Sequence, residues 1–353
     1  MASAGTRTMC RIPNEETVFM QTQRLLAAMA RAAALTAAAF TSMAFTAMVT
    51  QAQAQPYPTK PVRLLVGFAP GGGVDITARI VAQKMSEMWG QAMVVDNRSG
   101  AGGTIGTDIA AKATADGYTL LLCGIWSHGV APSLYKKLNY DHVKDFAPVS
   151  MIGTTPNVLV VNPSVPVKSV SEFIAYTKAN NGKIIIASPG TGSSPHMTME
   201  LFRLTTGINF VHVPYKGAGP ALVDLLGGHI QSMFDNMSSQ MAQLKSGRTR
   251  AVAVTSPKRS PHLPDVPTMR ESGVPIDVTV WYGLCAPAAT PQPVLAKLNS
   301  DLVKVLAMQD TQRRLSEHGI DAGASTPEQF AAFIKAETQT WARVVKEAGV
   351  PQQ

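Results

Sequence analysis

Downstream of residue 60, short aliphatic and β-branched runs alternate with longer stretches of helical periodicity, an order that a parallel-sheet α/β architecture accommodates best. The runs RLLVGFA, AMVVDNR and YTLLLCG read as strands, and 76–89 and 104–113 between them read as helices. Strand, helix and strand in succession make a βαβ unit with a right-handed crossover, so a first α/β series spans about 60–124. A second series follows a turn-rich stretch: NVLVVNP, a helix over 169–179, KIIIASPG, a helix over 196–205, NFVHVPY, a helix over 220–226, HIQSMFDN and RAVAVTS. Extended apolar runs near 155–162 and 278–286 flank this series, as two crossings between domains would. Helices over 293–308, 310–318 and 327–346 then return to the first domain. In the last of these, Phe330, Phe333, Ile334, Trp341, Val344 and Val345 recur at near-helical spacing, the pattern of a core-facing stripe.

Composition narrows the class further. Of 353 residues, 45% are hydrophobic and 15% charged, which is a globular balance and not that of a disordered chain. The three cysteines, Cys10, Cys123 and Cys285, are too few for a disulfide-stapled miniature fold or a multi-cysteine zinc module. Cys123 and Cys285 both sit in apolar runs, LLLCG and YGLCAP, where either a bridge or two buried thiols fits. The formal net charge is +8, but no Lys/Arg run exceeds two residues, which argues against nucleic acid as a partner.

The first 54 residues read as an export signal. Arg24 and Arg31 precede an uncharged stretch over 32–49, which ends in Ala52-Gln53-Ala54, a small-residue cleavage pattern. Cleavage is expected after Ala54, and Met20 is an alternative start. An uncleaved anchor is the competing reading, because 18 residues could just span a bilayer.

Two strand-to-helix turns are suited to an anion. The first, GFAPGGGVDITARI, carries Pro70-Gly71-Gly72-Gly73 between a strand ending at Phe68 and a helix opening near Asp75. The second, IIIASPGTGSSPHMTMEL, carries Ser188-Pro189-Gly190-Thr191-Gly192-Ser193-Ser194 before Pro195. Glycines let backbone N–H groups converge, and a helix start adds unpaired donors and a partial positive charge. Hydroxyls of Ser188, Thr191, Ser193 and Ser194 add further donors. Asp75 reads first as a helix N-cap, since a carboxylate facing an anion would repel it, and Ser194 likewise. His196 could touch a ligand or pack in the first helical turn.

Other chemistries find little support. There is no G-x-x-x-x-G-K-[ST] loop, no G-x-G-x-x-G in register and no G-x-S-x-G elbow. The seven histidines show no H-x-x-x-H or H-E-x-x-H spacing. Neither a cofactor, a metal nor a catalytic residue is therefore expected.

The stretches YPTKPVRLLVGFAPGGGVDITAR, VVDNRSGAGGTIGTDIAAKATADGYTLLL, IIIASPGTGSSPHMTMELF, HVPYKGAGPALVDLLGGHIQSMFDN and RAVAVTSPKRSPHLPDVPTMRESG together resemble the Bug family of periplasmic solute receptors. These are the binding components of tripartite tricarboxylate transporters, and the resemblance covers essentially all of 55–353. It implies a type II periplasmic-binding-protein fold: two α/β lobes, two crossing segments and a ligand closed between them. The lobes would comprise 55–156 with 281–353, and 157–280. The resemblance implies that a small organic acid is held by Phe68, Pro70, Gly71, Gly72 and Asp75 in the first turn. In the second turn it points to Ser188, Pro189, Gly190, Gly192, Ser193 and His196. Tyr215 and Asp235-Asn236 would line the cleft, and 124–128, with Trp126 and Ser127, forms a further wall. Trp126 stands where the family more often has a small polar residue; it would narrow the pocket, stack on a ring, or simply be a half-buried loop aromatic. The implied role is a periplasmic monomer that passes its ligand to a membrane permease. Presentation to a sensor kinase and, more remotely, serine hydrolysis through Ser193 or Ser194 are the competing functions.

Overall fold

The computed structural model describes residues 57–347, 350 and 352, and near the N-terminus 16, 19–20 and 22–31. The predicted apolar run over 32–49 and the cleavage point after Ala54 lie outside the described residues. Residues 22–31 are helical and exposed.

Strand β1 (Val62–Val66) is the centre of the first sheet, with Val62, Leu64, Leu65 and Val66 fully buried. A parallel strand covered on both faces reads as a continuous apolar run, and VRLLV is nearly that. Beside it lie β2 (Met93–Asn97) and β3 (Thr119–Gly124), both parallel to it, reached through helices α1 (Gly73–Trp89) and α2 (Thr104–Ala111). The chain leaves β3 through a π-helical segment, Ile125–Val130, and the short helix α3 (Ala131–Leu134).

Strand β4 (Phe146–Val161) belongs to both sheets. Residues 146–156 pair antiparallel with β9 (Thr279–Pro287), which in turn pairs antiparallel with β3. Residues 157–161 pair instead with β7 (Ser232–Asn236) and β8 (Arg250–Val254). The second sheet is completed by β5 (Ile185–Ser188), parallel to both β7 and β6 (Val211–Pro214). Helices α4 (Val170–Ala179), α5 (Ser194–Thr206), α6 (Ala218–Leu226) and α7 (Met237–Lys245) belong to this second series. After β9 the chain adds α8 (Gln292–Ala307), α9 (Gln309–Glu317), β10 (Asp321–Ala322), which pairs with β4, and α10 (Pro327–Glu347). This is the expected two-lobed α/β architecture, with β4 shared between its two sheets.

Differences from the sequence reading have local causes. The stretch 146–154, read as turn-rich, is strand; Pro148 and Gly153 sit at register shifts, where β4 tolerates residues that a regular ladder does not. Helix α7 was not expected, because MSSQMAQLK opens on two serines, yet burial of Met237 and Met241 outweighs their weak propensity. On α10, Phe330, Ile334, Trp341 and Val345 are buried while Phe333 and Val344 pack at the margin. Cys123 and Cys285 form a disulfide with a Cα–Cα distance of 6.0 Å, resolving the choice between a bridge and two thiols. Their strands are neighbours, with Cys123 opposite Gly283 and Leu121 opposite Cys285.

Candidate functional site

Both glycine-rich turns stand at the carboxyl ends of parallel strands, β1 and β5, and run directly into the helices α1 and α5. First-turn N–H groups of a helix have no intrahelical acceptor, so each turn presents backbone donors and the positive end of a helix dipole. The N-cap of α1 is Gly72, in extended conformation and without a side-chain cap. Asp75 is therefore not the N-cap it was expected to be. It is the third residue of the helix, in its first turn and 3% exposed, and its carboxylate accepts from Gly71 N at 3.0 Å, Arg79 Nε at 2.9 Å and Asn97 Nδ2 at 3.0 Å. With Asn97 also donating to the Phe68 carbonyl, Asp75 acts as the strut of the turn and does not face the cleft.

In the second turn the N-cap is Ser193, one residue before the expected Ser194, and its Oγ accepts from His196 N at 3.3 Å. Gly190, at φ +138°, holds a backbone shape that side-chain-bearing residues rarely adopt, and a Cβ there would lie 2.7 Å from the Tyr215 carbonyl. Ser188 Oγ accepts from Gly190 N and pairs with His212 Nε2 at 2.8 Å. His196 Nδ1 accepts from Gly192 N at 3.2 Å, and its ring stacks on His212 with centroids 4.8 Å apart. Burial pushes both imidazoles down to about 4, so they are neutral near pH 7. His196 thus packs and pins the turn. His212, its partner, carried no sequence signal because the contact spans two strands.

Between the turns lies a narrow, nearly closed cleft, walled by Phe68, Trp126, Gly72, Pro189, Ser193 and Asn236, with Gly73, Val74, Ser194, Pro195 and Ala218 completing it. An adjoining cavity runs past Phe68 and Pro189 to Gly102, Gly103, Thr191, Tyr215 and Lys216. Among the described residues, no Lys, Arg, Asp, Glu or His lines the first cleft. The lobes touch across it: Ala69 N donates to the Lys216 carbonyl at 3.0 Å, and Gly73 N to Ser239 Oγ at 3.0 Å. A Cβ at Gly73 would fall 2.0 Å from Ser238 Oγ and 2.9 Å from the Tyr282 hydroxyl, so a side chain there would have to displace both groups.

Other predicted residues stand behind the cleft wall. Ser127 is fully buried, its Oγ bonded to His128 Nδ1 at 2.8 Å and to Gly124, so it supports the π-helical segment. Asp235, fully buried, accepts from Asn236 N, Ser239 Oγ and Gln240 Nε2, and burial pushes its carboxyl up to about 7. Through Ser239 it holds the acceptor that meets Gly73. Asn236 does reach the cleft, and its Nδ2 donates to Asn157 Oδ1 at 2.7 Å and Ser194 Oγ at 3.3 Å. The Tyr215 hydroxyl is bonded to Asp224 and is not directed at the first cleft. Pro70 and Gly71 shape the first turn without lining the cleft itself. Among the described residues there is no cluster of three or more His, Cys, Asp or Glu able to hold a metal, and no helix long and apolar enough to cross a membrane.

A family profile described as tripartite tricarboxylate transporter family receptor matches residues 77–350. The chain is similar to protein BugT of Bordetella pertussis, 41% identical over 298 residues, covering 84% of this chain and 91% of that protein. Among solved structures it is similar to the periplasmic binding protein BugD, at 39% identity and a TM-score of 0.82, covering 84% of this chain and all of that one. It is also similar to MatC from Rhodopseudomonas palustris with bound malate, at 34% identity and a TM-score of 0.78, covering 82% of this chain and 100% of that one. An R. palustris protein with adipate gives 36% identity and a TM-score of 0.80, covering 83% of this chain and 98% of that one.

Proposed function

Because the chain belongs to the tripartite tricarboxylate transporter receptor family, a family of binding proteins and not of enzymes, we propose that it captures a small carboxylate between its lobes and delivers it to a membrane permease of the tripartite tricarboxylate type. The observation that carries this reading is that the two glycine-rich strand-to-helix turns meet at one cleft, lined by residues 72–74 of the first and 193–195 of the second. Two helix N-termini and several fixed amides suit a carboxylate, and a dry cleft strengthens each bond to it. The relatives with malate and adipate support the ligand class.

In this reading the turns act through Phe68, Gly72, Ser193 and Asn236, which line the cleft. Asp75, Ser127, Ser188, His196 and Asp235 act from behind to hold those residues in place. The lobes divide at 156/157 and 280/281, the chain is exported to the periplasm with cleavage after Ala54, and it works as a monomer.

Thermal-shift titration of the purified protein with malate, adipate, citrate, acidic amino acids, benzoate and nicotinate tests the binding claim. A ligand of the native state raises the melting temperature by linkage, so at least one acid should stabilise the protein in a concentration-dependent way. No shift with any of them would reject the carboxylate reading. Loss of uptake of the stabilising acid on deletion of the gene, restored by the intact chain, tests delivery.

A further inference from the structure

The four tryptophans outside the N-terminal segment are not equivalent. Trp89 Nε1 donates to Asp301 at 2.8 Å, Trp281 Nε1 to Glu337 at 2.9 Å, and the Trp341 indole bonds to the same Glu337 carboxyl. Each of these indoles has a carboxylate partner supplied by the fold. Trp126, only 2% exposed, has none: its Nε1 is buried without a hydrogen-bond partner among the described residues. A buried donor without an acceptor is costly, and native folds rarely leave one without a purpose.

Its position supplies the purpose. Trp126 follows β3 directly, lines the cleft and packs edge-on against Phe68 with centroids 5.2 Å apart and an interplanar angle of 82°. Gly103 lies against the indole edge, where a Cβ would be 3.0 Å from Nε1. Gly103 also lines the adjoining cavity, so the indole edge that carries the N–H lies behind a residue of that cavity's wall. The anion-binding turns account for one end of a ligand; this donor stands apart from both, on a wall without any charged side chain.

We propose that Trp126 determines specificity by donating its indole N–H to an uncharged acceptor on the body of the ligand, so that this receptor selects carboxylates carrying such an acceptor. The proposal rests on the carboxylate reading of the same cleft. A carbonyl, ring nitrogen or ether oxygen satisfies the N–H at small desolvation cost. A second carboxylate at that point would be desolvated against one N–H, with no Lys or Arg among the described residues that line the first cleft, which disfavours it.

The test uses two matched pairs, nicotinate against benzoate and 4-oxopentanoate against pentanoate, with succinate and adipate alongside. Calorimetry should show at least one acceptor-bearing acid binding about tenfold more tightly than its partner, and more tightly than succinate or adipate. Trp126→Phe, which keeps a ring and removes the donor, should erase that preference, so that the two acids of the pair bind within about twofold of each other. In the ¹⁵N–¹H spectrum of the unmutated protein, the indole resonance missing from Trp126→Phe should be the one that moves on ligand addition. Binding of a panel acid with an unmoved Trp126 resonance and no loss in Trp126→Phe would overturn the proposal and leave the carboxylate reading standing. Tighter binding of succinate or adipate would overturn the selectivity, and no binding at all would remove both readings together.

Discussion

Asp75 and Asp235 show how two carboxyls near one cleft do different work. Asp75 holds the first turn through Gly71, Arg79 and Asn97, so Asp75→Ala removes a buried charged acceptor from three donors and should cost about 1–3 kcal/mol of stability, read by urea unfolding. A change below a few tenths would show that the turn holds itself. Asp235 titrates near 7 in the folded protein against about 3.9 in an unfolded chain. A raised folded pKa contributes stability that is fully present below the unfolded value and is lost as pH rises through about 7. Asp235→Asn removes that loss, so the melting temperature of the variant relative to the parent should climb between pH 5 and pH 8. A difference constant across that range would mean that Asp235 does not titrate there. The two glycines of the turns also separate: Gly190→Val meets both a positive φ and the Tyr215 carbonyl, whereas at Gly72 a Cβ meets only Ala218 Cβ at 3.2 Å. Both variants should lose ligand, but Gly190→Val should also lower the melting temperature by several degrees more than Gly72→Val.

At the level of elements, the strand–helix alternation and the two turns were legible because each depends on local pattern: β-branched runs, glycine clusters and apolar periodicity. What the sequence did not reveal depends on partners distant along the chain. His212 matters only because β6 places it against Ser188 and His196, and Ser239 only because α7 faces Gly73 across the cleft. The N-cap shifts by a single residue, from Ser194 to Ser193, because cap identity is set by backbone dihedrals that a Ser-Ser pair does not disclose. The disulfide is another such case, since only the register of β3 on β9 brings Cys123 to Cys285 across 162 residues. Replacing both cysteines with serine should destabilise the protein by about 2–5 kcal/mol, because a long loop is released in the unfolded chain. An unchanged unfolding midpoint would mean that the strands hold this register without the bridge.

Across the whole molecule, the lobes meet through backbone donors of the first turn: Ala69 N on the Lys216 carbonyl and Gly73 N on Ser239 Oγ. In the proposed function, closure and ligand capture would use the same few residues. Such hinge closure around a ligand should contract the particle, and small-angle scattering should record a smaller radius of gyration on addition of a stabilising acid. The measurement that bears most directly on the central claim is calorimetry of the purified protein with that acid, beside Gly72→Val. The account predicts 1:1 binding with a micromolar Kd, about −8 kcal/mol, and its loss in Gly72→Val without unfolding. Equal affinity in the folded variant would contradict a carboxylate site built on these two turns.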